Sequence, residues 1–174
     1  RRTIRAHVLD ETNALLLGWE RGAGDAPRYV ITLPEGWRPA PDSALTFAIA
    51  EADQPLPDPE TGRPAQEQPR RQDRTPLDLT IELADGGGRV ARLPLSAFAP
   101  VQPPIEAQRQ KVRLFDPGAA SEPVPQTYWI PMGQIVADAP GFDASDVSEI
   151  RFVLDRSPAG AIYLKDVGFG DPGQ

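Results

Sequence analysis

Cysteine is missing from the 174 residues, which excludes a disulfide scaffold and any cysteine-ligated zinc or iron–sulfur site while leaving the cellular compartment open. Histidine occurs once, as His7, in an N-terminal segment, so neither a histidine metal cluster nor a well-supported Ser-His-Asp set can be assembled, and His7 reads as a surface or strand-end residue. No apolar run approaches the roughly 18 residues of a membrane span. G-x-S-x-G elbows, P-loops and dinucleotide fingerprints are absent. Asp85-Gly86-Gly87-Gly88 has the glycines of a phosphate cradle, but the chain after it is strand-like and lacks the helix N-terminus that would hold an anion. Carboxylates are plentiful, yet no strand carries the alternating acidic pattern that would aim several at one sugar. The expectation is a chain with no catalytic residues, no metal site and no cofactor. Positive charge is also scarce, with 18 Lys and Arg against 25 Asp and Glu and a net charge of −7. That balance argues against a nucleic-acid partner, and the one basic cluster, Arg70, Arg71 and Arg74, has no aromatic residue interleaved and reads as a solvated loop.

Proline and glycine, in contrast, are abundant, at 21 and 15 residues. Such numbers disfavour long helices and favour short strands joined by many turns. Alternation of apolar and polar side chains, the period of a half-buried strand, marks several of them. Residues 1–7 make an edge strand, and 14–19 and 28–33 form a strand pair read as a hairpin around the turn at 22–27. Residues 44–52 form a central strand with Leu45, Phe47 and Ile49 on one face. The cleanest run is 77–84, with Leu77, Leu79, Ile81 and Leu83 on a buried face and Asp78, Thr80, Glu82 and Ala84 on a wet one. Asp85–Gly88 turns it into a strand at 89–95, where Pro94 near the end marks an edge or a strand terminus. A strand or extended segment follows at 105–115, and a strand at 126–132. Near the end, Ile150, Phe152 and Leu154 alternate with Arg151, Val153 and Asp155, and the turn residues Ser157, Pro158 and Gly160 lead into a second apolar run, 161–169. These two runs read as an antiparallel hairpin.

Residues 53–76 differ from the rest, being rich in proline and charge and without an aromatic residue. They bury too little apolar surface to offset the roughly 1–2 kcal/mol per residue of backbone ordering, and a mobile excursion within one domain is expected. Limited proteolysis should then cut first near Arg63, Arg70, Arg71 or Arg74. The expected architecture is all-β: a two-sheet antiparallel β-sandwich of the jelly-roll or Greek-key kind spanning 1–174. In it the long crossings at 34–43, 53–76 and 96–125 carry the chain from sheet to sheet. A chain opening on Arg1, without an initiator Met or signal-peptide pattern, is expected to be one module of a longer protein.

Two stretches carry a resemblance: D-x-S-D-V-S leading into I-R-F-V-L-D at 143–155, and G-x-I-Y-L-x-D-V-G-F at 160–169. The region from Gln126 onward resembles the end of a galactose-binding-like jelly-roll domain, a group that includes many carbohydrate-binding modules and the sandwich domains appended to secreted bacterial hydrolases. The resemblance implies a non-catalytic accessory module, secreted or in the cell envelope, with a catalytic domain of α/β-hydrolase type as partner in the same or an associated chain. It also raises a structural calcium, since relatives often carry two adjacent acidic residues where this chain has Lys165 and Asp166. The lysine's charge, together with the six to eight oxygens calcium requires, leads us to expect none. A site shared with Asp10 or Glu11 would need the first and last strands to lie side by side.

The alternative function is an autonomous module that binds polysaccharide through exposed aromatics, which stack on sugar rings while polar groups fix orientation. Trp19, Tyr29, Trp37, Tyr128, Trp129 and Tyr163 are the candidates, most of them expected in the core. Trp129 has the strongest case, because Tyr128, Ile130 and Met132 take the opposite face of its strand. Trp37 and Tyr163 complete the expected carbohydrate-binding set. Exposed aromatics on one sheet face would favour this alternative; an apolar patch without polar groups would favour the accessory module.

Overall fold

The alternation that places Leu45, Phe47 and Ile49 on one side of their strand is the pattern on which both sheets are built. The computed structural model describes residues 3–9, 13–20, 24–40, 42–52, 75–106 and 121–170. Within them run β1 (Thr3–Leu9), β2 (Ala14–Glu20), β3 (Arg28–Thr32), β4 (Ala44–Glu51), β5 (Thr80–Asp85), β6 (Val90–Pro94), β7 (Ile105–Glu106), β8 (Ser121–Glu122), β9 (Gln126–Pro131), β10 (Val147–Val153) and β11 (Ala159–Gly170). Helical structure among the described residues is limited to a 3-10 turn at Leu95–Ala97 and a five-residue helix, α1 (Met132–Val136). A five-stranded antiparallel sheet has the order β1-β2-β11-β4-β9 and a four-stranded one the order β3-β10-β5-β6, with β7 and β8 paired apart.

The inward residues of both sheets meet in one core. Leu17, Leu45, Phe47, Ile49, Tyr128, Ile130, Ile162 and Leu164 come from the five-stranded sheet, and Ile81, Leu83, Ile150 and Phe152 from the other. Phe47 joins the layers: it stacks on Tyr128 at 5.1 Å and meets Phe152 edge-on at 5.3 Å. The expected β-sandwich is therefore present, and the crossings at 34–43, 53–76 and 96–125 do connect strands of different sheets. The strand expected to be central, β4, is an interior strand next to the edge strand β9, with β11 at the centre, and β1 lies at an edge as expected.

Two expectations need correction. Segments 14–33 and 149–169 are not hairpins, since β2 pairs with β1 and β11 whereas β3 pairs with β10, and β10 and β11 belong to different sheets. The connection after β10 steps between the layers. Ser157 is buried there, accepting from Trp19 Nε1 through its carbonyl at 3.0 Å and from the Asp78 N–H through Oγ at 3.0 Å. Gly160 lies so close beneath Trp19 that a Cβ would sit 2.7 Å from its ring. Secondly, the outer side of β5 is not wet: Thr80, Glu82 and Ala84 are all buried. Glu82 lies between Arg92 of β6 and Arg151 of β10 in the strand register, with Arg92 Nε 2.8 Å from Oε1 and an Arg151 nitrogen 3.7 Å from Oε2. The two guanidiniums flank this buried carboxylate, whose Oε2 makes no hydrogen bond among the described residues. The side-by-side first and last strands that a site shared with Asp10 or Glu11 would need are not found among the described strands, because β2 stands between β1 and β11.

Of the extended segment expected at 105–115, only Ile105–Glu106 is a described strand, and residues 107–120 lie outside the described residues. So do 53–74 of the Pro-rich excursion, with its Arg63, Arg70, Arg71 and Arg74, and Asp10 and Glu11. The strand expected to run through 132 ends at Pro131, and Met132 begins α1.

Between β5 and β6 the expected Asp-Gly-Gly-Gly turn forms, with Gly88 at φ +80°, a value that favours glycine. Asp85 closes it. Its Oδ1 accepts the Arg89 N–H at 2.8 Å, and its Oδ2 accepts the Asp143 N–H at 3.1 Å from the loop before β10. Burial opposes ionisation of this carboxyl. The N–H groups of Asp143, Arg89 and Gly87 and the Arg89 charge nevertheless hold it below the ordinary 3.8. Asp143 is lowered likewise, chiefly by hydrogen bonds from the Ser145 hydroxyl and N–H.

Candidate functional site

Strand alternation gives the five-stranded sheet an outward face as well as an inward one. Opposite Leu45, Phe47 and Ile49, β4 carries Ala44, Thr46, Ala48 and Ala50; opposite Tyr128 and Ile130, β9 carries Thr127, Trp129 and Pro131. In β11, Ile162 and Leu164 point inward, leaving Ala161, Tyr163 and Lys165 outward. A row of alanines thus runs up the middle strand between larger side chains on its two neighbours.

The end of β11 depends on a bulge. Lys165 pairs with Ala48 and Gly168 with Thr46, so two residues, Asp166 and Val167, oppose Phe47 alone. Asp166 takes φ +55° there, a left-handed conformation that Asp tolerates better than most residues. The extra residue reverses the alternation: Phe169 turns in beside Leu45, and Gly168 and Gly170 take the outward positions. Without the bulge, Phe169 would stand outward with Tyr163 and Lys165.

Trp129 uses the space this leaves. It pairs with Thr46, which in turn pairs with Gly168. Yet a Cβ on Gly170 would lie 2.9 Å from Trp129 Cη2 and 3.2 Å from Cζ3, and only 3.5 Å from the Thr46 methyl. An indole rooted on β9 whose far edge reaches β11, two strands away, has its long axis along the sheet surface. The residue is 37% exposed.

Further along the same face, Ala14, Ala48 and Ala50 form the floor of a groove of about 360 Å³, with Tyr163, Lys165, Pro123 and Pro125 on its walls. Tyr163 pairs with Ala50, four residues from Thr46 on β4. With a rise of roughly 3.4 Å per residue and strands roughly 4.8 Å apart, Tyr163 and Trp129 stand about 17 Å apart on a diagonal across the sheet. Lys165, level with Ala48, lies between them and is 44% exposed in its side chain.

Of the residues singled out from sequence, Trp129 and Tyr163 thus share one face. Trp37 does not join them: its ring packs on that of Phe169, centroids 5.1 Å apart, and Phe169 packs against the core. Trp19 and Tyr128 are core residues and Tyr29 packs against the core. Burial, aided by the charge of Asp78, pushes the Tyr128 phenol up to about 12. Lys165, Pro123, Pro125, Gly170 and the alanine floor were not anticipated. Of these, only the alternation of alanines with large residues in 44–50 was a visible signal. Among the described residues no group of three metal-ligating side chains comes together. Asp166 is exposed and paired with Lys165, Nζ to Oδ2 being 3.4 Å.

The sequence matches no protein-family profile and no curated protein. The fold has clear counterparts among solved structures. A family 30 carbohydrate-binding module of a Clostridium thermocellum cellulosomal cellulase superposes with a TM-score of 0.56 at 13% identity, over 99% of this chain and 84% of that one. A family 11 carbohydrate-binding module from Clostridium thermocellum, in complex with a β-1,3-1,4-mixed-linked tetrasaccharide, gives 0.55 at 10% identity over 98% and 83%. The fold is that of the carbohydrate-binding-module jelly rolls. No helix among the described residues is long and apolar enough to cross a membrane.

Proposed function

We propose that the chain is a non-catalytic carbohydrate-binding module whose outward five-stranded face holds a polysaccharide. The observation that carries this reading is the indole of Trp129 lying along the sheet, with a groove floored by alanine on the same face. Sugar rings present apolar faces that stack on aromatic rings, and a strip of small residues lets a chain approach the backbone between them. Trp129 supplies the stacking surface, Tyr163 the second aromatic wall, and Thr46, Thr127 and Lys165 the polar groups for ring hydroxyls. Trp37 is left in a packing role.

This places the autonomous binding module ahead of a purely structural accessory domain, because the outward face combines aromatic and polar groups. One module of a longer secreted or envelope-bound bacterial protein, spanning the whole chain as a single domain and joined to a hydrolase, remains compatible with that function. Support for it comes from the family resemblance.

Affinity electrophoresis and calorimetry against soluble polysaccharides, mixed-linkage β-1,3-1,4-glucan among them, test the reading. Burying an aromatic side chain contributes about 1.5–3 kcal/mol, so Trp129→Ala and Tyr163→Ala should each weaken binding by about tenfold or more without lowering the melting midpoint appreciably. Trp37→Ala should act on stability instead. Absence of binding to every polymer, or binding indifferent to both outward substitutions, would overturn the proposal.

A further inference from the structure

Among the described residues that line the groove, Lys165 is the one with a charged side chain, standing beside Ala14, Ala48, Ala50, Pro123, Pro125 and Tyr163. The chain as a whole is acidic, at −7, yet the charge at this point is a cation. Its position is fixed by the strand: Lys165 pairs with Ala48, whose methyl group leaves the lysine stem uncrowded from the β4 side. Its one described ionic partner, Asp166, is 71% exposed and 3.4 Å away. Exposed pairs of this kind are weak and do not hold the ammonium against a competing anion in a less hydrated groove.

We infer that the groove recognises an anionic polysaccharide, with a carboxylate or sulfate on one sugar seated at Lys165 while neighbouring rings pack on Tyr163 and the alanine floor. A hydroxyl of a neutral glycan would accept from the Lys165 ammonium as a dipole only. An anionic substituent accepts the same hydrogen bond and adds the attraction between two full charges. The overall negative charge does not prevent this, because at physiological ionic strength fields are largely screened beyond about 8 Å. This inference rests on the carbohydrate-binding reading and adds the class of ligand to it.

Matched polymers differing only in charge provide the test: polygalacturonate against its methyl ester, and a sulfated galactan against its desulfated form, with mixed-linkage β-glucan as a neutral reference. The expected result is a preference of about tenfold for the charged member of at least one pair. Lys165→Met should remove the preference, Lys165→Arg should retain it, and raising the salt to about 0.5 M should reduce it. The two pairs distinguish a carboxylate from a sulfate ligand. Equal binding within both pairs, or a preference that survives Lys165→Met, overturns the inference. Trp129-dependent binding of β-glucan would in that case leave the parent reading standing, whereas no binding to any polymer removes both. Since Lys165 is exposed, an unchanged melting midpoint in the variants verifies that folding is unaffected.

Discussion

Gly170 has no side chain, and Trp129 fills the space one would take. A methyl group there would sit 2.9 Å from the indole Cη2 and 3.2 Å from Cζ3, closer than van der Waals contact allows, so Gly170→Ala should displace the ring from the sheet. Because Trp129 lies on the surface, stability should change by no more than about 1 kcal/mol. Polysaccharide affinity should nevertheless drop, accompanied by a shift in tryptophan emission. A variant that binds as the parent does would show that the ring's placement is immaterial. Trp129 itself was legible in the sequence, since a residue flanked by Tyr128 and Ile130 has only one face left to occupy. Gly170 was not, because its place beneath the indole comes from the bulge at Asp166 and Val167 and from a strand some forty residues earlier.

Strands were legible as elements and much less so as partners. Alternation reports that a segment is half-buried and is the same whichever neighbour it pairs with. Hence β2, β3, β10 and β11 could be located while two of the hairpins drawn from them were wrong: Ser157-Pro158-Ala159 suits a crossing between layers as well as it suits a turn within one. The β5–β6 hairpin was read correctly because its glycines specify a turn with positive φ. The buried outer side of β5 was invisible, because the guanidiniums flanking Glu82 come from Arg92 and Arg151 on its two neighbours. Asp85 makes a prediction at this level, since it ties that hairpin to the loop before β10. Its folded pKa lies below the ordinary 3.8, so its contribution to stability is present above that value and is lost as pH falls through the lower folded one. Asp85→Asn should lower the melting midpoint at pH 7 and flatten its decline below about pH 4. An identical acid profile in parent and variant would assign that decline to other carboxylates, Asp143 first.

For the molecule as a whole, the two sheets hold together through a core in which Phe47 touches both. Large-to-small replacement of a buried Phe costs about 3–5 kcal/mol, a large share of the roughly 5–15 kcal/mol of a typical domain. Phe47→Ala should therefore lower the denaturant midpoint sharply, and probes in either sheet should report the same transition. Separate transitions would mean that the layers unfold independently. The sandwich itself was foreseeable from composition and spacing, because abundant turn residues between short alternating segments leave few other ways to bury apolar faces. Strand order was not, and that order governs how the chain is made. β11, the last of the described strands, occupies the middle of the five-stranded sheet, between β2 and β4. During synthesis both of those strands leave the ribosome long before the partner that joins them, each with a bare row of N–H and C=O groups. Closure of the sheet must wait for translation to pass Gly170, so the nascent chain spends that interval open to wrong pairing, and a stall or truncation before Ala159 would leave it unable to finish.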